Sequence, residues 1–172
     1  MRRTAMAADN QPHTFRRTYT PEPSGRGSKS ARTRSAPIST GSSGRSVNQY
    51  LALVVGLAFV GAGVIGFYIT GFDDFFNRDT NQFLLGLEIN PAHNVVHLVL
   101  GLLGLALWWT HAGARTYGAI LFVGYGAAFV YGLFAVDNAD INVLSMNTAD
   151  NWFHLASALT GLVIAVLPNR RR

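Results

Sequence analysis

Apolar residues dominate the chain from residue 47 onward and fall into four long runs that polar segments separate. The runs cover residues 50–70, 91–109, 117–136 and 151–167. A helix of about twenty apolar residues crosses the roughly 30 Å hydrocarbon layer of a bilayer. The pattern therefore predicts an all-α membrane protein with four transmembrane helices, in a transmembrane domain over residues 47–168.

A polar motif at the start of the second run returns at the start of the fourth. Its matched positions, all at one constant offset in the sequence, are Asn90 and Asn147, His93 and Asp150, Asn94 and Asn151, and His97 and His154. Sequence that repeats at a fixed spacing indicates repeated structure. Together with a weaker match between the first and third runs, it predicts two helical hairpins related by a parallel pseudo-repeat about the membrane normal.

A structural interpretation of the motif assigns its asparagines to helix capping and helix pairing. Asn90 precedes Pro91, and Asn147 precedes an acid by three residues, and both arrangements are typical of helix N-termini. Asn94 and Asn151 would then hydrogen-bond between helices, since polar side chains commonly join membrane helices. This interpretation makes the protein a small multi-pass membrane protein with a structural or interaction role.

The alternative interpretation is a metal site at the outer ends of helices two and four. His93 and His97 are four residues apart and share one helical face, as do Asp150 and His154. If symmetry brings the two faces together, three imidazoles and one carboxylate converge. This set suits zinc or non-haem iron better than magnesium or calcium. A haem held by His97 and His154 is a further alternative.

The symmetry also predicts how the motif packs. His97 and His154 should approach one another near the outer end of the bundle, with Asn94 and Asn151 beside them, because buried polar groups need partners. The small residues on the following turns, Gly104 among them, should let helices two and four cross closely below this cluster.

The basic residues are distributed unevenly along the chain. Thirteen of the fourteen Lys and Arg residues lie in residues 1–46, in the short loop after the second run or in residues 169–172, whereas both other loops are acidic. The positive-inside rule therefore places both termini in the cytoplasm of a cell-membrane protein. The first outer loop, 71–89, carries four phenylalanines and is expected to fold back over the outer end of the bundle.

Residues 1–46 differ in composition from the rest of the chain. They hold nine Lys and Arg residues, two acids and many Ser, Thr, Gly and Pro residues, but little apolar surface to bury. We expect a disordered basic cytoplasmic tail that contacts anionic lipid, not nucleic acid, and residues 169–172 as a short basic cytoplasmic C-terminus. The sequence has no cysteine, which excludes disulfides and thiolate metal sites.

Motifs of several common enzyme classes are missing from the sequence. It has no Walker loop, no nucleophile elbow and no HExxH zinc motif. We therefore favour a non-enzymatic role without a bound cofactor, in the lipid bilayer, with another membrane protein or a second copy of the chain as partner. Zinc, iron or haem at the repeated motif is the alternative.

The segment that opens the second run is similar to one found in a known bacterial family. The pattern N-x-x-H-N-x-x-H-L-x-x-G from Asn90 to Gly101, with Asn151 and His154 in the later copy, resembles the membrane-protein family catalogued as domain of unknown function 4383. The resemblance covers about residues 47–168 and omits the tail. It implies a four-helix integral membrane protein and implies no activity, because none is assigned to the family.

Overall fold

Four helices make up most of the described chain. The computed structural model describes residues 44–168. The helices are α1 Val47–Thr70, α2 Pro91–Leu107, α3 His111–Ala135 and α4 Thr148–Val166. The prediction of an all-α fold with four helices is confirmed. The predicted disordered tail and basic C-terminus lie outside the described residues, except for residues 44–46.

Polar caps make α1 and α3 begin earlier than the apolar runs predicted. Ser46 precedes α1, and its backbone N–H donates to Gln49 Oε1 at 2.9 Å. Thr110 precedes α3, and its hydroxyl oxygen accepts from the Gly113 N–H at 2.9 Å. Such bonds satisfy backbone groups that a first helical turn leaves without intrahelical partners. The helices therefore extend beyond their apolar segments.

A small β-hairpin interrupts the loop between α1 and α2, and it was not predicted from the sequence. Strands β1 Phe83–Leu84 and β2 Leu87–Glu88 pair in antiparallel fashion. The turn residues Leu85 and Gly86 both have positive φ, 54° and 88°, which a tight turn between twisted strands favours. Glycine adopts this conformation readily but leucine seldom does. Of the two turn residues, only Gly86 is therefore of a type that predicts such a turn.

The helices pack in two close pairs, α1 with α2 and α3 with α4. Glycines allow this approach: a Cβ added to Gly104 would lie 2.8 Å from Gly56 Cα, and one added to Gly118 would lie 2.6 Å from the Gly161 carbonyl oxygen. Small residues at such contacts let helix backbones come close together. The prediction that Gly104 would bring α2 against α4 is wrong, because this glycine faces α1.

Two of the described helices, α1 and α3, are long and apolar enough to cross a membrane, judged by length and composition. Helix α2 is also apolar but shorter. The buried core between the helices is aromatic as well as aliphatic. Its members are Ala52, Phe59, Ala114, Tyr117, Leu121, Tyr125, Ala158 and Ile164.

Polar contacts close the end of the bundle that lies opposite the repeated motif. His111, the first residue of α3, has its Nδ1 atom 2.9 Å from Asn48 Oδ1. Gln49 donates to the Trp109 carbonyl oxygen at 2.7 Å. These bonds join the start of α1 to the turn between α2 and α3, so His111 has a structural partner at the end of the bundle away from the other helical histidines.

Candidate metal centre

The two matched asparagines at the helix starts are N-caps, as the sequence predicted. Asn90 Oδ1 accepts from the His93 N–H at 2.8 Å, and Asn147 Oδ1 accepts from the Asp150 N–H at 3.0 Å. Each cap therefore bonds the backbone of the first ionisable residue in its helix. The caps hold the first turns of α2 and α4, and so the backbone positions of His93 and Asp150.

The second pair of asparagines lies against glycines of the neighbouring helix. A Cβ added to Gly66 would overlap the Asn94 amide, and one added to Gly132 would overlap the Asn151 amide. Asn94 Nδ2 also donates to Thr70 Oγ1 at 2.9 Å. These amides therefore join α2 to α1 and α4 to α3. The prediction that they would lie beside the histidines, between helices two and four, is wrong because each is engaged within its own helix pair.

Three histidines converge between the helices, near the end of the bundle where α2 and α4 begin. His93, His97 and His154 are 1%, 1% and 2% exposed, and each offers a ring nitrogen within 4.8 Å of those of the other two. The centroids of the His93 and His97 rings are 4.6 Å apart, and those of His93 and His154 are 5.8 Å apart. The predicted approach of His97 to His154 is confirmed.

The histidine cluster has unsatisfied polar atoms. Both ring nitrogens of His93 and of His97, and Nδ1 of His154, are buried without a hydrogen-bond partner among the described residues. A buried polar group without a partner costs roughly 1–3 kcal/mol. Folded proteins satisfy nearly all such groups. Several orphan nitrogens in one place could therefore serve as ligands for a bound group.

Asp150 lies beside the histidine cluster and is held by the helix cap. Its Oδ2 atom accepts from the Asn147 N–H at 2.9 Å and from the Glu88 N–H at 3.0 Å. Its other oxygen, Oδ1, is buried without a hydrogen-bond partner in the described chain and lies 4.0 Å from His93 Nε2. One carboxylate oxygen is thus fixed by backbone donors, and the other is free to meet His93 or an ion.

Two aromatic rings form one wall of the cluster, and neither was predicted from the sequence. The Phe59 centroid lies 5.4 Å from that of His97, and the Tyr125 centroid lies 5.3 Å from that of His154. The two aromatic rings stack on each other at 5.1 Å. The number of residues between Phe59 and Tyr125 equals the number between Gly66 and Gly132. This shared offset between the first and third helices was the signal that could have found them.

The α1–α2 and α3–α4 loops cover the histidines through polar contacts. Glu88 Oε1 accepts from the Thr80 N–H at 3.0 Å and from the Ser145 hydroxyl at 2.9 Å, which joins the two loops. The expected folding of the first loop over the bundle is confirmed by the Asn90 side chain, whose Nδ2 donates to the Asn77 carbonyl oxygen at 2.8 Å. Its phenylalanines do not drive this folding, since Phe76, for example, remains exposed.

Comparison with known proteins identifies the domain. The sequence profile of the family described as Domain of unknown function (DUF4383) matches residues 49–167. The chain belongs to this family. The match includes all four of its helices from residue 49 onward and confirms the resemblance that the motif indicated. No curated protein and no solved structure gives a significant match.

The histidines of this DUF4383 domain fit a small metal ion after minor adjustment. Nitrogen ligands about 2.0–2.1 Å from a tetrahedral zinc ion lie roughly 3.4 Å apart. The cluster nitrogens are within 4.8 Å of one another, so modest rotations of the rings would bring them to this spacing. Three imidazoles with a neighbouring carboxylate also suit iron. Whether the cluster binds a metal stays a prediction.

A haem fits the same DUF4383 residues less well than a bare ion does. As axial ligands, His97 and His154 would have to lie on opposite faces of a flat macrocycle. The His93 ring lies against both of them, 4.6 Å and 5.8 Å away between centroids. Phe59 and Tyr125 pack against the same two imidazoles. The space that these rings leave between them is suited to an ion.

Proposed function

We propose that this protein is a four-span membrane protein that binds one divalent transition-metal ion, zinc or iron, near the outer end of its bundle. His93, His97 and His154 would supply three nitrogen ligands, and Asp150 would complete the coordination or orient His93. The observation that carries the proposal is the convergence of three buried imidazoles, five of whose six ring nitrogens are buried without a partner in the described chain.

The distribution of apolar surface supports four spans. Large apolar side chains point outward on every helix, and among them Val54 on α1, Leu102 on α2, Leu133 on α3 and Val163 on α4 are each about half exposed or more. The histidines and Asp150 are buried instead. A helix in a water-soluble protein turns its apolar stripe toward the core. An arrangement with polar groups inside and apolar groups outside fits a lipid environment for all four helices.

Matched contacts support a parallel pseudo-repeat of two hairpins. Asn94 and Asn151 are equivalent positions of the repeated motif, and each contacts a glycine of the helix that precedes it, Gly66 or Gly132. Phe59 packs on His97 and Tyr125 packs on His154. Phe59 and Tyr125 are separated by the same number of residues as these two glycines. Because equivalent side chains make equivalent contacts, the second hairpin would repeat the first about an axis along the membrane normal.

The distribution of basic residues orients the proposed bundle with both termini in the cytoplasm. The basic N-terminal residues would then contact anionic lipid of the inner leaflet. Reporter fusions at Arg172 and within residues 137–146 test this orientation. We expect a cytoplasmic signal from the first fusion and an extracytoplasmic signal from the second. The reverse pattern would place the histidine cluster near the inner face of the membrane and contradict the topology.

The geometry favours a metal over a purely structural role for the histidines. Structural histidines in a membrane bundle would hydrogen-bond to polar groups of neighbouring helices. Here the nearby asparagines Asn94 and Asn151 lie against glycines, and the caps Asn90 and Asn147 bond backbone groups. The orphan imidazole nitrogens have no partner at hydrogen-bond distance among the described residues, and the Asp150 Oδ1 atom lies 4.0 Å from His93 Nε2, beyond that distance. A metal ion would satisfy several of them at once.

Metal analysis of the purified protein tests the proposal. The full chain is extracted from membranes in mild detergent, and zinc and iron are measured by mass spectrometry before and after equilibration with each metal. We expect about one ion per chain and loss of that ion in His97→Ala and His154→Ala. His111→Ala is the matched control, because His111 bonds Asn48 at the other end of the bundle.

Each result of this measurement has a defined meaning. Metal retained by His111→Ala and lost by the other two variants, with unchanged helical content and membrane extraction, supports the site. An unliganded wild-type protein that takes up neither zinc nor iron would contradict it. Equal loss in all three variants would assign the metal to non-specific histidine binding.

A further inference from the structure

A cavity between α1 and α4 reaches the histidine cluster from the side of the bundle. Its volume is about 370 Å³, and its lining includes Phe59 and Ala62 of α1, Phe153 and Ser157 of α4, and His97 of α2. We propose that this cavity binds a quinone-type lipid, a flat ring with carbonyl oxygens on an apolar tail, with one carbonyl oxygen at His97. The inference rests on the membrane placement proposed above but does not require the metal.

The polar end of the cavity selects a neutral oxygen-bearing group. His97 is 1% exposed, and neither of its ring nitrogens has a hydrogen-bond partner among the described residues. A neutral imidazole can donate one hydrogen bond to a carbonyl oxygen or accept one from a hydroxyl. No Lys or Arg is among the described lining residues, so nothing there neutralises an anionic head. A carbonyl or hydroxyl group therefore suits the site better than a carboxylate.

The shape of the same end favours a flat ring. Phe59 and Phe153 meet edge to face, with centroids 6.2 Å apart, and both line the cavity. Aromatic walls of this kind stack on or pack edgewise against a planar ligand. Farther from the cluster the lining is mostly aliphatic, with Val54 and Ala58 on α1, and the hydroxyl of Thr160 on α4 donates to the Ala156 carbonyl oxygen at 2.9 Å. A quinone-type lipid with its ring near His97 and its apolar tail along α1 would match this change in the lining from aromatic to aliphatic.

The outward side of the cavity faces the proposed lipid phase. Val54 is 61% exposed and Phe153 is 38% exposed, so both belong to the cavity lining and to the outer surface of the bundle. The hairpin residues Leu84 and Leu85 border the cavity at its outer end. A lipid-soluble ligand could therefore enter between α1 and α4 from the bilayer, without passing through water.

A second cavity on the other side of the cluster provides a matched control. It has a volume of about 340 Å³, and its lining includes Tyr125, Ala128 and His154 together with His97, which lines both cavities. Ala128 follows Tyr125 by the same three positions that separate Ala62 from Phe59. Where the first cavity has Phe153, the second has Val96, so it lacks the pair of phenylalanine rings. We assign the quinone to the first cavity alone.

Photo-crosslinking tests the assignment. The full chain, stripped of metal by a chelator, is placed in nanodiscs of defined phospholipid and exposed to a short-tailed benzoquinone with a diazirine on its tail. Mass spectrometry then locates the crosslinks. We expect them on α1 and α4. Ala62→Trp should reduce crosslinking about tenfold by filling the cavity, whereas Ala128→Trp should leave it unchanged. Ala58→Phe replaces Ala62→Trp if that variant does not fold.

Competition distinguishes the head from the tail. An excess of unlabelled quinone should abolish the crosslinks, whereas an alkane of the same tail length or a fatty acid should not. Crosslinks spread evenly over all lipid-facing helices, equal loss in Ala62→Trp and Ala128→Trp, or equal competition by the alkane would each overturn the assignment.

The metal and quinone proposals fail separately. Crosslinking that persists in a chain found to bind no metal would leave this inference standing while the metal proposal falls. A metal-binding protein without specific crosslinks would give the opposite result. A protein that is absent from the membrane fraction would overturn both, because they share the membrane placement.

Discussion

The α1–α2 pair and the α3–α4 pair share a scaffold but carry different groups at the centre. In the first pair the Asn94 amide lies against Gly66, and in the second the Asn151 amide lies against Gly132. An asparagine also caps the second helix of each pair. These shared positions are the ones that hold two helices together. The two pairs are therefore alike in how their helices pack.

The differences between the pairs lie at the histidine cluster. His93 of the first pair corresponds to Asp150 of the second, and Phe59 corresponds to Tyr125. The first pair also carries the longer outer loop with its hairpin. A single site between two similar halves needs one set of ligands, so the central positions need not match. We infer that the matched asparagines and glycines preserve the fold, and that the site combines the matched histidines His97 and His154 with the unmatched His93 and Asp150.

Making the halves alike at the site should have the largest effect. His93→Asp would leave two imidazoles and two carboxylates, and zinc affinity should fall about 100-fold or more, since even the loss of an outer-shell partner costs 10- to 100-fold. Asp150→His would give four imidazoles and should retain zinc. Competition with a zinc indicator in detergent measures both affinities. Equal losses in the two variants would contradict a ligand role for His93.

Filling the asparagine-contacting glycines should have the next largest effect. Gly66→Ala and Gly132→Ala each place a Cβ on an asparagine amide, and overpacking of this kind costs roughly 1–3 kcal/mol. Gly61→Ala and Gly124→Ala are controls, because a Cβ there meets no atom of the described chain within 4 Å. Thermal unfolding in detergent measures all four. A clear loss of thermal stability in only one of Gly66→Ala and Gly132→Ala would show that the two helix pairs do not pack equivalently.

Removing the caps should have a smaller and unequal effect. Asn147→Ala should cost about 1 kcal/mol, as is typical for an N-cap. Asn90→Ala should cost about 2 kcal/mol, because Asn90 Nδ2 donates to two loop carbonyls whereas Asn147 Nδ2 donates to one. The free energy of unfolding in a denaturing detergent titration measures the difference. A larger loss of stability in Asn147→Ala than in Asn90→Ala would contradict the idea that the hydrogen bonds of Asn90 to the loops contribute more.

The hairpin that only the first pair carries gives the smallest expected effect. Leu85 has φ 54° and is 96% exposed, and asparagine occupies such left-handed turn positions more readily than leucine does. Leu85→Asn should therefore raise stability by about 0.5 kcal/mol. Gly86→Ala, at φ 88°, should lower it. Thermal unfolding scans measure both, and a loss of stability in Leu85→Asn would indicate that the leucine side chain contributes contacts.

Local signals in the sequence were sufficient for much of the fold and part of the site. Asn90 and Asn147 could be predicted as caps because capping depends on residues within one turn. His93 and His97 could be placed on one helical face because their spacing is four residues. The approach of His97 to His154 followed from the repeat. The Leu85–Gly86 turn escaped prediction, since leucine is uncommon at positive φ.

The sequence by itself determined the four helices, the caps of α2 and α4, the family and the convergence of His97 with His154, since each follows from local spacing or from repetition. Only the tertiary structure decided which residues each helix face contacts. It turned Asn94 toward Gly66 and Gly104 toward Gly56, and it brought Phe59 and Tyr125 onto the histidines. Spacing along a helix shows which side chains share a face, but the order in which helices pack determines what that face meets.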